Sequence, residues 1–145
     1  MAAIQDMLSE KGSKVHTIAP GTSVLEATDK MNQNRIGCLV VMEAGKVVGI
    51  FTERDVLQRV VGSDRRPDQI LVGEVMTSEV FCCPPDADVD EVGALMKERR
   101  IRHVPVCGED GVLQGLISIG DVNAHYASAQ QAQIMVLNEY IYGRV

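Results

Sequence analysis

The sequence predicts an α/β fold: two β-α-β-β-α repeats related by pseudo-two-fold symmetry, followed by one more helix. Three observations carry this. First, sliding residues 17–42 onto 82–107, an offset of 65, aligns Pro20 with Pro85, Val24 with Val89, Glu26 with Glu91 and Met31 with Met96. The same slide aligns Arg35 with Arg100, Ile36 with Ile101 and Val41 with Val106, and one extra residue later Gly45, Gly49 and Asp55 overlay Gly111, Gly115 and Asp121. Second, apolar residues recur at helical spacing just after the proline of each copy. Third, two apolar runs around a glycine-bearing turn follow each helix. Two copies of one supersecondary unit bury their apolar faces against each other, which leaves a seam for ligands or partners.

The elements follow in order. Residues 1–14 form a lead-in, 15–66 the first repeat, 67–79 a linker helix, 80–127 the second repeat and 128–145 a C-terminal amphipathic helix. Each repeat opens on a short extended piece, Val15–Ile18 or Val80–Cys83, stopped by proline at 20 or at 84 and 85. Ser23 and Glu26 have capping-box spacing, in which each side chain satisfies a free backbone donor. Val24, Ala27 and Met31, then Val89, Val92 and Met96, mark helical faces that end at the matched arginine-isoleucine pairs. Hairpins come next, over Cys38–Phe51 and His103–Ile117, with Gly45 and Gly111 supplying the positive φ of their turns. Pro105 marks an edge strand or a strand start, because proline cannot donate to a ladder. Thr52 and Ser118 then suit the N-cap of a second helix in each copy. Residues 62–69 read as a polar linker broken at Pro67, and residues 72–76 lead into the second copy as residues 4–8 lead into the first. Beyond Tyr126, Ile134, Leu137 and Ile141 form an apolar stripe that needs a surface to cover.

Composition narrows the function. A chain of 145 residues with 46% apolar and 23% charged content is long enough for a core and too apolar for disorder. A net charge of −6 argues against general nucleic-acid binding, which needs a dense cationic face. Cations nevertheless cluster at Arg99, Arg100, Arg102 and His103, so one anionic ligand is compatible. Neither a membrane-spanning run nor a signal peptide is evident, and a cytoplasmic location is the expectation. Cys38 and Cys107 lie in apolar runs and Cys82 and Cys83 are adjacent, a pattern that suits structural thiols rather than metal ligands. No nucleophile elbow, phosphate loop or paired-histidine metal motif is present, so catalysis is not expected.

The segments Gly49-Ile50-Phe51-Thr52-Glu53-Arg54-Asp55 and Gly115-Leu116-Ile117-Ser118-Ile119-Gly120-Asp121 share the pattern Gly-apolar-x-Ser/Thr-x-x-Asp. With the element order around them, they resemble the tandem cystathionine-β-synthase (CBS) domain pair, or Bateman module, of the small stand-alone type. The resemblance spans about residues 4–126. The motif has its own physical logic. A hydroxyl at a helix start lies beside free N–H groups and the positive end of the helix dipole, which suits phosphate. An aspartate one turn on can accept from the vicinal hydroxyls of a ribose, and the glycine admits close approach of a ligand. A plainer alternative is that Thr52 and Ser118 only cap helices while Asp55 and Asp121 favour the first turn.

The resemblance implies two pseudo-symmetric sites between the repeats. One combines Ile50, Thr52, Arg54 and Asp55 with Ile101, Arg102 and His103. The other combines Leu116, Ser118, Gly120 and Asp121 with Ile36, Gly37 and Cys38, plus Lys14. Because Arg102-His103 corresponds to Gly37-Cys38, the cationic pair occurs once and the two sites are unequal. The implied ligand is an adenine nucleotide (AMP, ADP, ATP or NADH), with S-adenosylmethionine less favoured, and the implied function is regulatory and non-catalytic. The alternative function is a protein-interaction regulator of a partner enzyme, of thioredoxin type, without obligatory nucleotide binding. Family habit also implies a homodimer, here with the C-terminal helix at an interface.

Overall fold

The computed structural model describes residues 2–142, with side chains through residue 138. Helix α1 (Ile4–Lys11) precedes β1 (Thr17–Ile18), α2 (Val24–Asn34), β2 (Cys38–Glu43) and β3 (Lys46–Thr52). After β3, α3 (Glu53–Asp55) runs straight into a π-helical segment, Val56–Val61. The second half holds α4 (Val72–Val75), α5 (Val89–Arg99), β4 (His103–Cys107), β5 (Leu113–Ser118) and α6 (Ile119–Tyr142). β1 pairs parallel to β2, and β2 antiparallel to β3; β4 and β5 form the antiparallel hairpin of the second repeat.

Local chemistry accounts for most boundaries. Ser23 Oγ accepts from Glu26 N at 3.1 Å and so starts α2. Arg35 and Arg100 end α2 and α5 in left-handed conformations, at φ 53° and 55°, which explains why both copies stop at the same arginine. Ala44 at φ 52° and Gly45 at φ 77° form the tight turn between β2 and β3, the two-positive-φ turn that matches strand twist.

Several expectations need correction. Val80–Cys83 forms no strand and makes only a single bridge, Cys83 to Val106. The reason lies in Pro105. Its counterpart Val40 donates to the His16 carbonyl at 3.2 Å, whereas proline has no N–H to offer residue 81. Cys83 N still donates to Pro105 O, and Cys107 N to Cys83 O, so one bridge survives at the edge of the hairpin. The linker helix shrinks to the single turn of α4. The C-terminal helix does not begin anew at 128, because α6 is continuous from Ile119 and no proline interrupts it.

The lead-ins cross over. Ile4, Met7 and Leu8 of α1 join the core of the second repeat, with Val89, Met96, Val104, Val106 and Ile117. Val72 and Val75 of α4 join the core of the first, with Val24, Met31, Leu39, Val41 and Phe51. Each short helix therefore packs on the repeat that it does not precede. Backbone bonds seal the exchange symmetrically. Gln5 N donates to Pro85 O at 2.8 Å and Ile4 N to Ala87 O at 2.9 Å, while Gly73 N donates to Pro20 O at 2.9 Å and Val72 N to Thr22 O at 2.8 Å. These bonds satisfy the free N–H groups at the starts of α1 and α4.

Candidate functional site

The two repeated motifs end β3 and β5 and open α3 and α6. Thr52 and Asp55 form a reciprocal cap: Asp55 N donates to Thr52 Oγ1 at 3.3 Å, and Thr52 N donates to Asp55 Oδ2 at 3.0 Å. Ser118 and Asp121 do the same, at 3.1 Å and 2.8 Å. The capping alternative therefore describes what these residues do to the backbone. The motif glycine has a different job from the one the sequence suggested. A Cβ at Gly49 would lie 2.5 Å from Met76 Sδ and 2.9 Å from Thr77 O, and one at Gly115 would lie 2.6 Å from Leu8 Cδ2. Each glycine makes room for the lead-in segment that crosses over from the other repeat.

Between the repeats lies a cavity of about 760 Å³, within the range of small-molecule sites. It is lined by Ile50, Thr52, Arg54, Asp55, Ile101, Arg102 and His103, all seven residues of the first implied set. From the second set only Gly37, Ser118 and Gly120 reach it. Ile36 lines a separate hollow of about 240 Å³ with Met31, Val56 and Leu57. Cys38 is buried in β2, Leu116 and Asp121 turn toward Lys11, and Lys14 lies in the loop before β1, outside the lining. The lining also includes Glu53, Thr77, Glu79, Val80, Phe81 and Arg100, none of which belongs to the implied sets. The sequence did not assign residues 77–81 to the site; they arrive because Thr77 bridges to Ile50, with N–H···O bonds of 2.9 Å in both directions.

The CBS domain family matches this chain twice, over residues 6–62 and 72–128. The chain belongs to the CBS-domain family. It is 32% identical to the CBS domain-containing protein CBSX3, mitochondrial, of Arabidopsis thaliana, over 97% of this chain and 72% of that protein. A solved CBS-domain containing protein from Agrobacterium tumefaciens is 40% identical, with a TM-score of 0.80 over 86% of this chain and 99% of that one. A hexameric CBS-CP12 protein from bloom-forming cyanobacteria is 27% identical, with a TM-score of 0.74 over 83% of this chain and 66% of that one.

The two CBS repeats hold their motif aspartates differently. Asp55 is only 5% exposed; it accepts from Thr52 N and Oγ1 and from Thr77 Oγ1, and Arg59 Nε stands 3.8 Å away. Three of about four acceptor positions on that carboxylate are thus taken. Asp121 is more open and is held by an ammonium: Lys11 Nζ lies 2.5 Å from its Oδ2 and 2.6 Å from Leu116 O. Burial alone would push the Asp121 carboxyl up. The Lys11 and Ser118 hydrogen bonds outweigh it and hold the group below its ordinary value.

The cavity mixes charge, with Arg54, Arg100 and Arg102 facing Glu53, Asp55 and Glu79. His103 does not add a fourth cation. Burial lowers its pKa below 6.5, Arg102 and Lys11 push the same way, and Asp121 and Glu53 oppose them only in part. The imidazole therefore favours its neutral form, which leaves Arg102 as the stronger cation of the expected Arg102-His103 pair. Phe81 forms an apolar wall, with the Arg99 guanidinium 4.3 Å from its ring centre. Three of the four thiols are held in their protonated form. Burial, with the Asp55 charge, pushes Cys38 up to about 12; burial and Cys107 push Cys83 up to about 11. Burial and the neighbouring Cys82 side chain push the Cys107 thiol up to about 11, so none of the three is a thiolate near neutral pH.

Proposed function

We propose that this CBS pair is a regulatory, non-catalytic module that binds one adenine nucleotide in the cavity between its repeats. CBS pairs are regulatory modules in the family generally. The observation that carries the reading is the convergence of Arg54, Arg100 and Arg102, drawn from both repeats, on one cavity large enough for a nucleotide. Arginine offers a planar fork for phosphate oxygens, and Arg102 with the Ser118 hydroxyl forms the phosphate end. Ile50, Val80, Phe81 and Ile101 form the apolar end for the base. The remaining acceptor capacity of Asp55 serves a ribose hydroxyl. Glu53 and Glu79 balance the arginines, so a single phosphate suits this charge better than three. AMP is the preferred ligand among AMP, ADP, ATP and NADH. Because the walls come from both repeats, a ligand that bridges them stabilises one relative arrangement, which is how binding energy becomes a signal. Calorimetry with AMP tests this: one site per chain is expected, and no binding of any adenine nucleotide would overturn it.

A second reading rests on α6. Tyr126 Oη donates to Asp90 Oδ1, and beyond that tie the helix is exposed through residue 138. Ile134, Met135, Val136 and Leu137 are 56–66% exposed. No Asp, Glu, Lys or Arg occurs between Asp121 and Glu139, so two such helices meet without the repulsion that a net charge of −6 otherwise brings. A second copy of this chain is the occupant we assign to that face, in keeping with the hexameric relative. Ile141, on the same predicted stripe, lies outside the described side chains. A protein that stays monomeric by light scattering at high concentration would rule this out.

A further inference from the structure

The cysteines of the second repeat form a cluster that the nucleotide reading does not use. The offset of 65 aligns Cys82 with Thr17 and Cys107 with Met42, so only the second repeat carries this pair. It is also the repeat whose first strand is missing. Pro105 leaves residues 80–83 with a single bridge, Cys83 to Val106, closed by Cys83 N to Pro105 O at 2.9 Å and Cys107 N to Cys83 O at 3.0 Å. Side chains alternate along such paired segments. Cys83 and Val106 point into the core of the second repeat. Cys82 and Cys107, each one residue from the bridge, share the outer face, and a register shift in the β4–β5 ladder falls between Val106 and Cys107. Cys82 is exposed, Cys107 is partly exposed, and the Cys82 side chain neighbours the Cys107 thiol. Cys83 faces away from Cys82, and Cys38 lies buried in β2 of the other repeat, so Cys107 is the one cysteine within reach of Cys82.

We propose that Cys82 and Cys107 form a reversible disulfide, a redox modification site that ties the cavity wall of residues 79–81 to β4. The inference does not depend on which ligand the cavity takes. The oxidant is a low-molecular-weight disulfide. Cys82, the exposed thiol, loses its proton to solvent and attacks one sulfur of that disulfide; the external S–S bond breaks and one thiolate departs with the electron pair. Cys107 then gives up its proton and attacks Cys82 Sγ, which forms the intramolecular S–S bond and expels the second thiolate. The two protons released by the protein end on the two departing thiolates. Two protein thiols are thus oxidised, and one external disulfide is reduced to two thiols. The Cys82 side chain helps to hold the Cys107 thiol protonated, and capping of Cys82 removes that contribution. Glu79, Val80 and Phe81 precede Cys82 and line the cavity, and His103 at the start of β4 lines it too. The covalent link therefore supplies the tie that the missing N–H of Pro105 denies this segment.

Incubation of the full chain with oxidised glutathione, followed by alkylation of free thiols and peptide mass spectrometry, tests this. Wild type is expected to lose two hydrogens in one intrachain Cys82–Cys107 link that dithiothreitol reverses, with Cys38 and Cys83 alkylated only after denaturation. Cys107→Ser is expected to stop at a glutathione adduct on Cys82, and Cys82→Ser to form no link. Absence of any link in wild type, a stable adduct on Cys82 beside a free Cys107, a Cys82–Cys82 link between chains, or a Cys82–Cys83 link overturns the proposal. Amide hydrogen exchange at residues 79–82 is expected to slow at least tenfold in the oxidised form, and equal rates in both forms would overturn the tie to the cavity wall.

Discussion

Replacing Gly49 with alanine separates two roles for the motif glycine. If the glycine admits a ligand, the change weakens nucleotide binding and leaves stability alone. The structure says the reverse, because the new Cβ would meet Met76 Sδ at 2.5 Å and Thr77 O at 2.9 Å. The sulfur can swing aside, but the carbonyl accepts from Ile50 N and belongs to the two-bond bridge that seats residues 77–81. Overpacking of this kind costs about 1–3 kcal/mol. Loss of the bridge adds about 1 kcal/mol per hydrogen bond. Alanine returns only about 0.5 kcal/mol by restricting the unfolded chain. A net destabilisation of about 3 kcal/mol is expected, or a fall of about 1.5 M in the urea midpoint. Gly115→Ala is the control. Its Cβ would meet only the Leu8 side chain, at 2.6 and 2.9 Å, so a smaller loss of about 1–2 kcal/mol is expected. Urea unfolding followed by circular dichroism reads both. A Gly49→Ala protein as stable as wild type but with impaired AMP binding would refute the packing argument.

Three further outcomes are expected. Arg102→Ala should weaken AMP binding by about 10- to 100-fold, the worth of one charge-assisted hydrogen bond, while leaving adenosine binding nearly unchanged; equal losses for both ligands would place the phosphate elsewhere. His103 has a folded pKa below its ordinary 6.5. Its contribution to stability is therefore complete above pH 6.5 and declines as the pH falls through 6.5 toward the folded value. His103 lines the same cavity as Arg102, and a phosphate beside it would favour its protonated form, so AMP affinity should gain a contribution as the pH falls below 6.5 that His103→Gln removes; identical wild-type and His103→Gln profiles would place the phosphate away from His103. Truncation after Ala127 should reduce the mass measured by light scattering to that of a single chain. An unchanged assembly would take α6 out of the interface.

Much of the fold was legible in the sequence because its signals are local. The prolines at 20 and 85, the helical spacing of Val24, Ala27 and Met31, and the glycines of the turns each act within a few residues, and the structure keeps them. The strand over residues 80–83 misled because the deciding residue is Pro105, more than twenty positions away, whose missing N–H matters only once the two segments lie side by side. Nor could the motif reveal its neighbours. Thr77, Glu79 and Phe81 reach the cavity through a bridge to Ile50, and Lys11 reaches Asp121 across the whole chain.

The sequence by itself determined the duplication, the order of elements and the α/β class, because repeated apolar periodicity and turn chemistry are written residue by residue. Only the tertiary structure decided that the lead-in helices cross to opposite repeats, that the motif glycines serve that crossing, and that Asp121 pairs with Lys11 while Asp55 lines the open cavity. Those facts depend on which surfaces meet when two similar apolar cores close together, and a linear pattern common to both repeats does not distinguish packing a helix on its own repeat from packing it on the other.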